Sequence, residues 1–312
     1  MDKRIGLALG SGSARGLAHI GVLKVIDEEK IPIDFIAGTS IGAFIGAIYA
    51  SGISARELEE LSLNLDRRKT TSLFTPTIPY SGLVEGRKIT EFLQSVIGNP
   101  KFEDLKIPFA AIATDVMSGR EVIMTKGSVV EAVRASISIP GIFTPCKCNE
   151  DFLVDGGLVN PLPVNCVRDM GADFVIAVNI LPSPEKKIHK LRMKGEEKKL
   201  LTFPITSDIV NTRLSQFLKP VKKVIENPFL TLTDKLKTIQ EFPSIFTIIL
   251  QTIAITEYQI LCLQLKHSEP DILIEPKVDF IKPLEFYRGK EGIAKGEDAA
   301  KRLLSRLRRN DR

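Results

Sequence analysis

Between Ile33 and Ala50 the chain passes from an apolar strand, through Gly38-Thr39-Ser40-Ile41-Gly42, into an apolar helix, and few architectures accommodate that succession. Ile33 to Ala37 is short and apolar, as a buried strand requires. Ile41 to Ala50 carries neither charge nor proline, which predicts a buried helix. Ser40 therefore falls on the turn between them. Gly38 and Gly42 remove side chains where the backbone must bend back on itself. That would leave the Ser40 hydroxyl at the tip of a nucleophile elbow, with a helix N-terminus behind it. A serine at this place serves an ordinary helix N-cap equally well, so the rest of the chain must decide.

A second unit of the same kind comes earlier. Ile5 to Leu9 is an apolar strand, Gly10-Ser11-Gly12-Ser13-Ala14-Arg15-Gly16 a loop of mostly small residues, and Leu17, Ile20, Val22, Leu23 and Ile26 mark a helix. Such a loop can turn consecutive N–H groups toward one point, which suits a phosphate or an oxyanion. A Walker A loop needs Gly-Lys-Ser/Thr where this chain has Arg15-Gly16-Leu17, and the dinucleotide fingerprint starting at Gly10 needs a glycine where Arg15 stands. Both nucleotide readings fail on residues. An oxyanion hole needs only about two N–H donors, and a strand lying parallel to the Ser40 strand would deliver them. Taken alone, the loop is as well explained by a tight strand-to-helix turn.

Farther along, Glu57 to Leu65 and Lys88 to Ile97 read as helices, with a polar loop from Asp66 through Pro76 and Pro79 to Gly82 between them. Phe109 to Asp115 and Glu121 to Met124 read as strands, and Val129 to Ala135 as a helix. Phe152-Leu153-Val154 then leads into Asp155-Gly156-Gly157, most often a turn. A helix from Pro161 to Met170 and a strand from Phe174 to Ile180 follow. The chain has 312 residues, of which 44% are hydrophobic, and this suffices for one substantial α/β domain and excludes extensive disorder. Its 4 cysteines show no paired spacing for zinc, and no signal-like segment precedes Ile5, so a reduced, cytoplasmic protein without metal is expected.

The stretch from Leu7 to Leu23, Leu-x-Leu-Gly-Ser-Gly-Ser-Ala-Arg-Gly-Leu-Ala-His-Ile-Gly-Val-Leu, followed by Gly-Thr-Ser-Ile-Gly-Ala, closely resembles the opening of bacterial patatin-like phospholipases, a family that includes neuropathy-target-esterase-like lysophospholipases. Ala113-Thr114-Asp115, Arg134-Ala135-Ser136, Ile139-Pro140-Gly141 and Asn160-Pro161-Leu162-Pro163 extend the resemblance. The family usually has Gly-Gly-Gly-x-Arg/Lys-Gly in the first loop, and this chain has Ser11 and Ser13 at two of those glycines. Backbone donors tolerate serine there unless the backbone needs φ > 0.

The resemblance implies a three-layer α/β/α domain with a mostly parallel central sheet. It implies a serine lipid acyl hydrolase in which Ser40 is the nucleophile and Asp155 the base of a Ser-Asp dyad. Backbone N–H groups of Ser11, Gly12, Ser13 and Arg15 would form the oxyanion hole, with Gly16, Gly38, Gly42, Gly156 and Gly157 shaping the turns. The substrate would be a phospholipid or lysophospholipid, with no cofactor, no metal and no nucleic-acid partner. Two alternatives stay open: a lipid-binding protein of the same fold without turnover, and a Ser-His-Asp triad. The chain has 3 histidines: His19 follows the glycine-rich loop, His189 sits among lysines, and His267, before a strand at Asp271 to Glu275, is the credible triad member.

Two later segments bear on the membrane. Lys186 to Lys223 holds eleven Lys/Arg against Glu196, Glu197 and Asp208, a formal +8 within a chain of net +5. It lies in an expected helical insertion, residues 182–243, of a single domain spanning 1–312, and either forms a solvated face or attracts anionic head groups. Phe242 to Leu265 is the most apolar stretch, interrupted by Gln251, Glu257, Gln259 and Gln264. It suits a buried or interfacial helix better than a membrane span, with burial against the sheet as the default. A basic helix from Gly292 to Arg309 closes the chain.

Overall fold

A computed structural model describes residues 3–73, 84–183 and 245–304. The chain divides into two units, Met1–Pro182 with Thr256–Arg312, and Ser183–Ile255. The Pro76-to-Gly82 loop, the basic segment from Lys186 to Lys223, His189 and nearly all of the expected insertion lie outside the described residues.

The first unit is built on one sheet of eight strands: β1 (Ile5–Leu9), β2 (Phe35–Thr39), β3 (Phe109–Asp115), β4 (Glu121–Met124), β5 (Cys146–Cys148), β6 (Asp151–Asp155), β7 (Phe174–Val178) and β8 (Ile272–Ile274). Their order is β5-β6-β3-β2-β1-β7-β8, with β4 paired to β3. Strands β3, β2, β1, β7 and β8 run parallel, while β4 and β6 pair antiparallel with β3 and β5 with β6. Around the sheet lie α1 (Leu17–Glu28), α2 (Ile41–Ala50), α3 (Ala55–Leu63), α4 (Arg67–Leu73), α5 (Arg87–Ile97), α6 (Val129–Ser136), α7 (Val164–Asp169), α8 (Ile245–His267) and α9 (Gly289–Leu304).

Strand periodicity sorts the core into two layers. Leu7, Leu9, Ile36 and Ala111 face one side, where they pack with α1, α2, α6 and α9. Ala8, Ala37, Ala110 and Ile112 face the other, with Val164 and Val167 of α7 and with Leu261 of α8. The alanines on this second face let the covering helices approach closely. β1 lies between β2 and β7, so the loop after β1 opens where successive strands leave in opposite directions. In open α/β sheets that is where ligands bind.

The departures from expectation have local causes. β2 starts two residues late, because Asp34 turns back to bond Ile5: its N–H reaches Ile5 O at 2.8 Å and its Oδ2 accepts from Ile5 N at 2.6 Å. α7 begins only at Val164, since Pro161 and Pro163 have no N–H for a helix interior. Arg67–Leu73 is helical where a polar loop was expected. The expectation that the late apolar helix buries itself against the sheet holds on one side only of its first-unit part, where Leu261 joins the core with Tyr258 and Leu265 packed beside it. In the first unit Leu261 anchors it, while Leu263 stays 57% exposed.

Candidate active site

β3 positions the site. Ile112 pairs with Thr39 of β2 on one edge and Ile123 of β4 on the other; Ala113 pairs with Val122 of β4 and Asp155 of β6. Since β4 holds one edge throughout, β2 and β6 share the opposite edge end to end. β2 arrives parallel to β3 and stops opposite Ile112, whereas β6 arrives antiparallel and stops opposite Ala113. The residue after β2 is Ser40 and the last residue of β6 is Asp155. The sheet register thus brings together two side chains that are 115 positions apart.

Ser40 occupies the sharp turn, with φ 56 and ψ −122, a left-handed backbone that L-residues adopt at a cost of about 1–3 kcal/mol. Its surroundings hold it there. The Ser40 N–H donates to Ser136 Oγ at 2.9 Å, and that hydroxyl donates to Ile112 O at 2.5 Å. Next to it, Thr39 Oγ1 donates to Asn160 O at 2.7 Å. A Cβ on Gly42 would overlap Leu9 O and one on Gly38 would overlap the Gly42 carbonyl, so only glycines let α2 start this close to β1. Ser40 stands at the N-cap position of α2, yet its side chain makes no capping bond. Its hydroxyl instead donates to Asp155 Oδ2 at 2.5 Å, with both residues buried. No imidazole stands between them.

Asp155 accepts a second bond at Oδ1 from the Gly157 N–H, at 2.8 Å. Burial pushes its carboxyl up to about 6, against the downward pull of the bonds from Ser40 and Gly157. Such a group is ionised at neutral pH and still basic enough to take a proton. Glu257 of α8 stands beside Gly157, where an added Cβ would overlap its Oε1. Burial, followed by the charge of Asp155, lifts it to about 8, while Arg15 pulls it down.

The loop after β1 reaches the same place, and the four expected donors separate into two kinds. The Ser11 N–H donates to Pro161 O at 2.8 Å and the Arg15 N–H to Gly12 O at 3.3 Å. Among the described residues the N–H groups of Gly12 and Ser13 have no acceptor. Ser13 has φ 54, so one of the two serines at family glycine positions does sit in left-handed backbone; Ser11 does not. His19 secures the loop from behind: it is fully buried and its Nε2 donates to Gly10 O at 2.9 Å. Burial lowers its pKa to about 4, so the ring is neutral and serves as a brace.

Ser40 and Ser13 open onto a cavity of about 120 Å³, walled by Phe44, Ile45, Ile48, Leu58, Phe92 and Ile142 among other apolar side chains. Phe44 and Phe92 stack there, with ring centroids 6.2 Å apart. Water requires roughly 10–15 Å³ each by such a measure, and two to four polar partners as well. This space is roomy enough for several waters but gives them almost nothing to bond, and so favours an alkyl chain. His267 lines a different pocket, with Leu162, Val164 and Gln264.

Reading the sequence missed the supporting residues Ser136, Asn160 and Glu257. Ser136 and Asn160 lie inside the quoted motifs, but their roles depend on which strand ends meet. Glu257 had a visible signal, a lone acid in an otherwise apolar helix. Among the described residues no group of three or more His, Cys, Asp or Glu could hold a metal.

A family model described as patatin-like phospholipase matches residues 7–166, just over half of the chain. An NTE family protein of Mycobacterium tuberculosis is 38% identical over 177 residues, covering 57% of this chain and 49% of that protein. Neuropathy target esterase sws of Drosophila melanogaster is 36% identical over 181 residues, 56% of this chain and 13% of its own length. Lysophospholipase NTE1 of Pyricularia oryzae is 34% identical over 181 residues, covering 57% and 12%. The chain spans about half of the length of the mycobacterial relative and far less of the others. Among solved structures, VipD from Legionella pneumophila matches 97% of this chain and 66% of its own, with TM-score 0.47 and 12% identity.

Proposed function

The chain belongs to the patatin-like phospholipase family, and from that premise we propose that it is a serine lipid acyl hydrolase working through a Ser40-Asp155 dyad on phospholipid or lysophospholipid esters. The observation that carries the reading is the 2.5 Å hydrogen bond from Ser40 Oγ to a buried, ionised Asp155, placed at the mouth of an apolar cavity. Asp155 takes the Ser40 proton as Oγ bonds to the ester carbon, and the carbonyl π pair moves onto oxygen. The Gly12 and Ser13 N–H groups, with the N-terminus of α2, stabilise that oxyanion. As it collapses the ester C–O bond breaks, and Asp155 returns its proton to the leaving alkoxide. Water then attacks the acyl-enzyme and gives a proton to Asp155; as the second tetrahedral intermediate collapses, the bond from the acyl carbon to Ser40 Oγ breaks, Asp155 returns that proton to Oγ, and the fatty acid leaves.

The acyl chain occupies the cavity, where each buried methylene contributes about 0.8 kcal/mol. A water-soluble hydrolase must also reach its insoluble substrate. The Ile248–His267 stretch, with mean hydropathy 1.4 and only 6% buried, together with the +8 segment from Lys186 to Lys223, supports peripheral attachment to an anionic bilayer surface.

A fluorophosphonate probe tests the central claim. Wild type is expected to be labelled and Ser40→Ala to remain unlabelled. Folded wild-type protein that resists the probe would overturn the enzymatic reading in favour of a lipid-binding role.

A further inference from the structure

Glu257 has no part in the scheme above, yet its carboxylate stands against the dyad. A Cβ built on Gly157 would overlap Glu257 Oε1 and lie 3.2 Å from Asp155 Oδ1. The two carboxyl groups therefore flank the same small residue, whose N–H bonds Asp155. Glu257 thus stands near Oδ1 of Asp155, the oxygen that Ser40 does not hold. A glycine at 157 is what leaves room for this approach.

The charged groups facing Glu257 are Asp155 at the end of β6 and Arg15 of the glycine-rich loop. Arg15 in turn faces Asp279 and Glu285. Its NH1 donates to Gly12 O at 3.5 Å, which ties this cation to the loop that holds the oxyanion.

We propose that Glu257 is a positioning residue for ester hydrolysis, one that when ionised strengthens Asp155 as the base by setting a like charge behind it. The proposal rests on the dyad reading. Its logic follows the charge. As Asp155 takes the Ser40 proton, negative charge leaves Asp155 and arrives on the carbonyl oxygen beside the loop. An anionic Glu257 repels the charge where it starts. Ionising Glu257 therefore favours the transfer. Burial raises both carboxyls and the charge of Asp155 raises Glu257 further, so Asp155 ionises first and Glu257 after it.

The test is the pH profile of kcat/KM for a soluble short-chain ester, from pH 5 to 10. Wild type should rise through about pH 6 and rise again, about 3- to 10-fold, through about pH 8 before levelling. Glu257→Gln should keep the first step and lose the second. Glu257→Asp keeps a titrating carboxyl and should retain a second step. Arg15→Gln should move that step to higher pH, because a neighbouring cation is gone. A wild-type profile level from pH 7 to 9, a second step surviving in Glu257→Gln, or an unlevelled tenfold rise per pH unit typical of hydroxide attack would overturn the proposal. Asp155→Asn separates the two ideas: if it retains activity the dyad itself fails, and if it loses activity while wild type lacks the second step only the role of Glu257 fails.

Discussion

Replacing Asp155 by asparagine should make the protein more stable while disabling it. An ionised carboxylate buried at this place is a burden on the fold. Its pKa lies near 6 in the folded chain against an ordinary 3.8, so the folded state holds its proton more tightly than the unfolded one. Stability from this group is fully present below pH 3.8, falls as pH rises toward 6, and stays lost above. At about 1.4 kcal/mol per pH unit, the loss is on the order of 3 kcal/mol at neutral pH. Asparagine keeps the geometry: its Oδ1 can accept from the Gly157 N–H, and its amide can donate to Ser40 Oγ. It never ionises. Removing the Asp155 charge also relieves Glu257, which adds in the same direction. Thermal unfolding of wild type and Asp155→Asn at pH 4 and pH 7.5 is the assay. The variants should unfold at similar temperatures at pH 4, and at pH 7.5 Asn should lead by several degrees, at about 2–4 °C per kcal/mol. Ester turnover should fall about 10²–10⁴-fold. An Asn-minus-Asp difference that does not change between the two pH values would refute the reasoning that burial sets the basicity of Asp155.

Ser40→Gly should be more stable than Ser40→Ala by roughly 0.5–2 kcal/mol, since glycine escapes the left-handed strain and loses only part of that gain to unfolded-chain entropy. Chemical denaturation of the two inactive variants measures it, and an Ala variant equal to or above Gly would mean the elbow is unstrained. The protein should sediment with anionic liposomes, stay free of neutral ones and be released by high salt. If neutralising Lys186, Lys187, Lys190, Lys198 and Lys199 together leaves sedimentation unchanged, the basic segment has no role in attachment.

Much of this site could be read from local pattern. The strand, turn and helix around Ser40 were legible because an apolar run, two glycines and a second apolar run each have a local physical cause. α2 spans Ile41–Ala50, the apolar run itself. Asp155 was legible only through resemblance, since Asp-Gly-Gly by itself describes a turn and its meeting with Ser40 depends on β3. The oxyanion loop was half legible. Its small residues announce exposed N–H groups, but Pro161 and Gly12 carbonyls engage two of the four expected donors, and no local pattern reveals those acceptors. How far α8 is covered was not legible for a related reason: the same apolar composition serves a fully buried helix and one, like the part carrying Leu261 and Leu263, that buries one side and exposes another.

The meeting of β2 and β6 along one edge of β3 also bears on when the protein acquires its reactivity. During synthesis Ser40 is made first, and its partner follows 115 residues later. The glycine-rich loop waits longer still, because the Gly10 N–H is held by Val178 O at the end of β7. On the proposed dyad, no fragment ending before Asp155 contains the base, and none ending before Val178 has the loop anchored at that bond. Contacts of such long sequence separation form slowly, since the closure entropy of the intervening chain must be overcome first. On the proposed function, a nascent chain carries Ser40 as an inert hydroxyl until the sheet that delivers Asp155 has assembled.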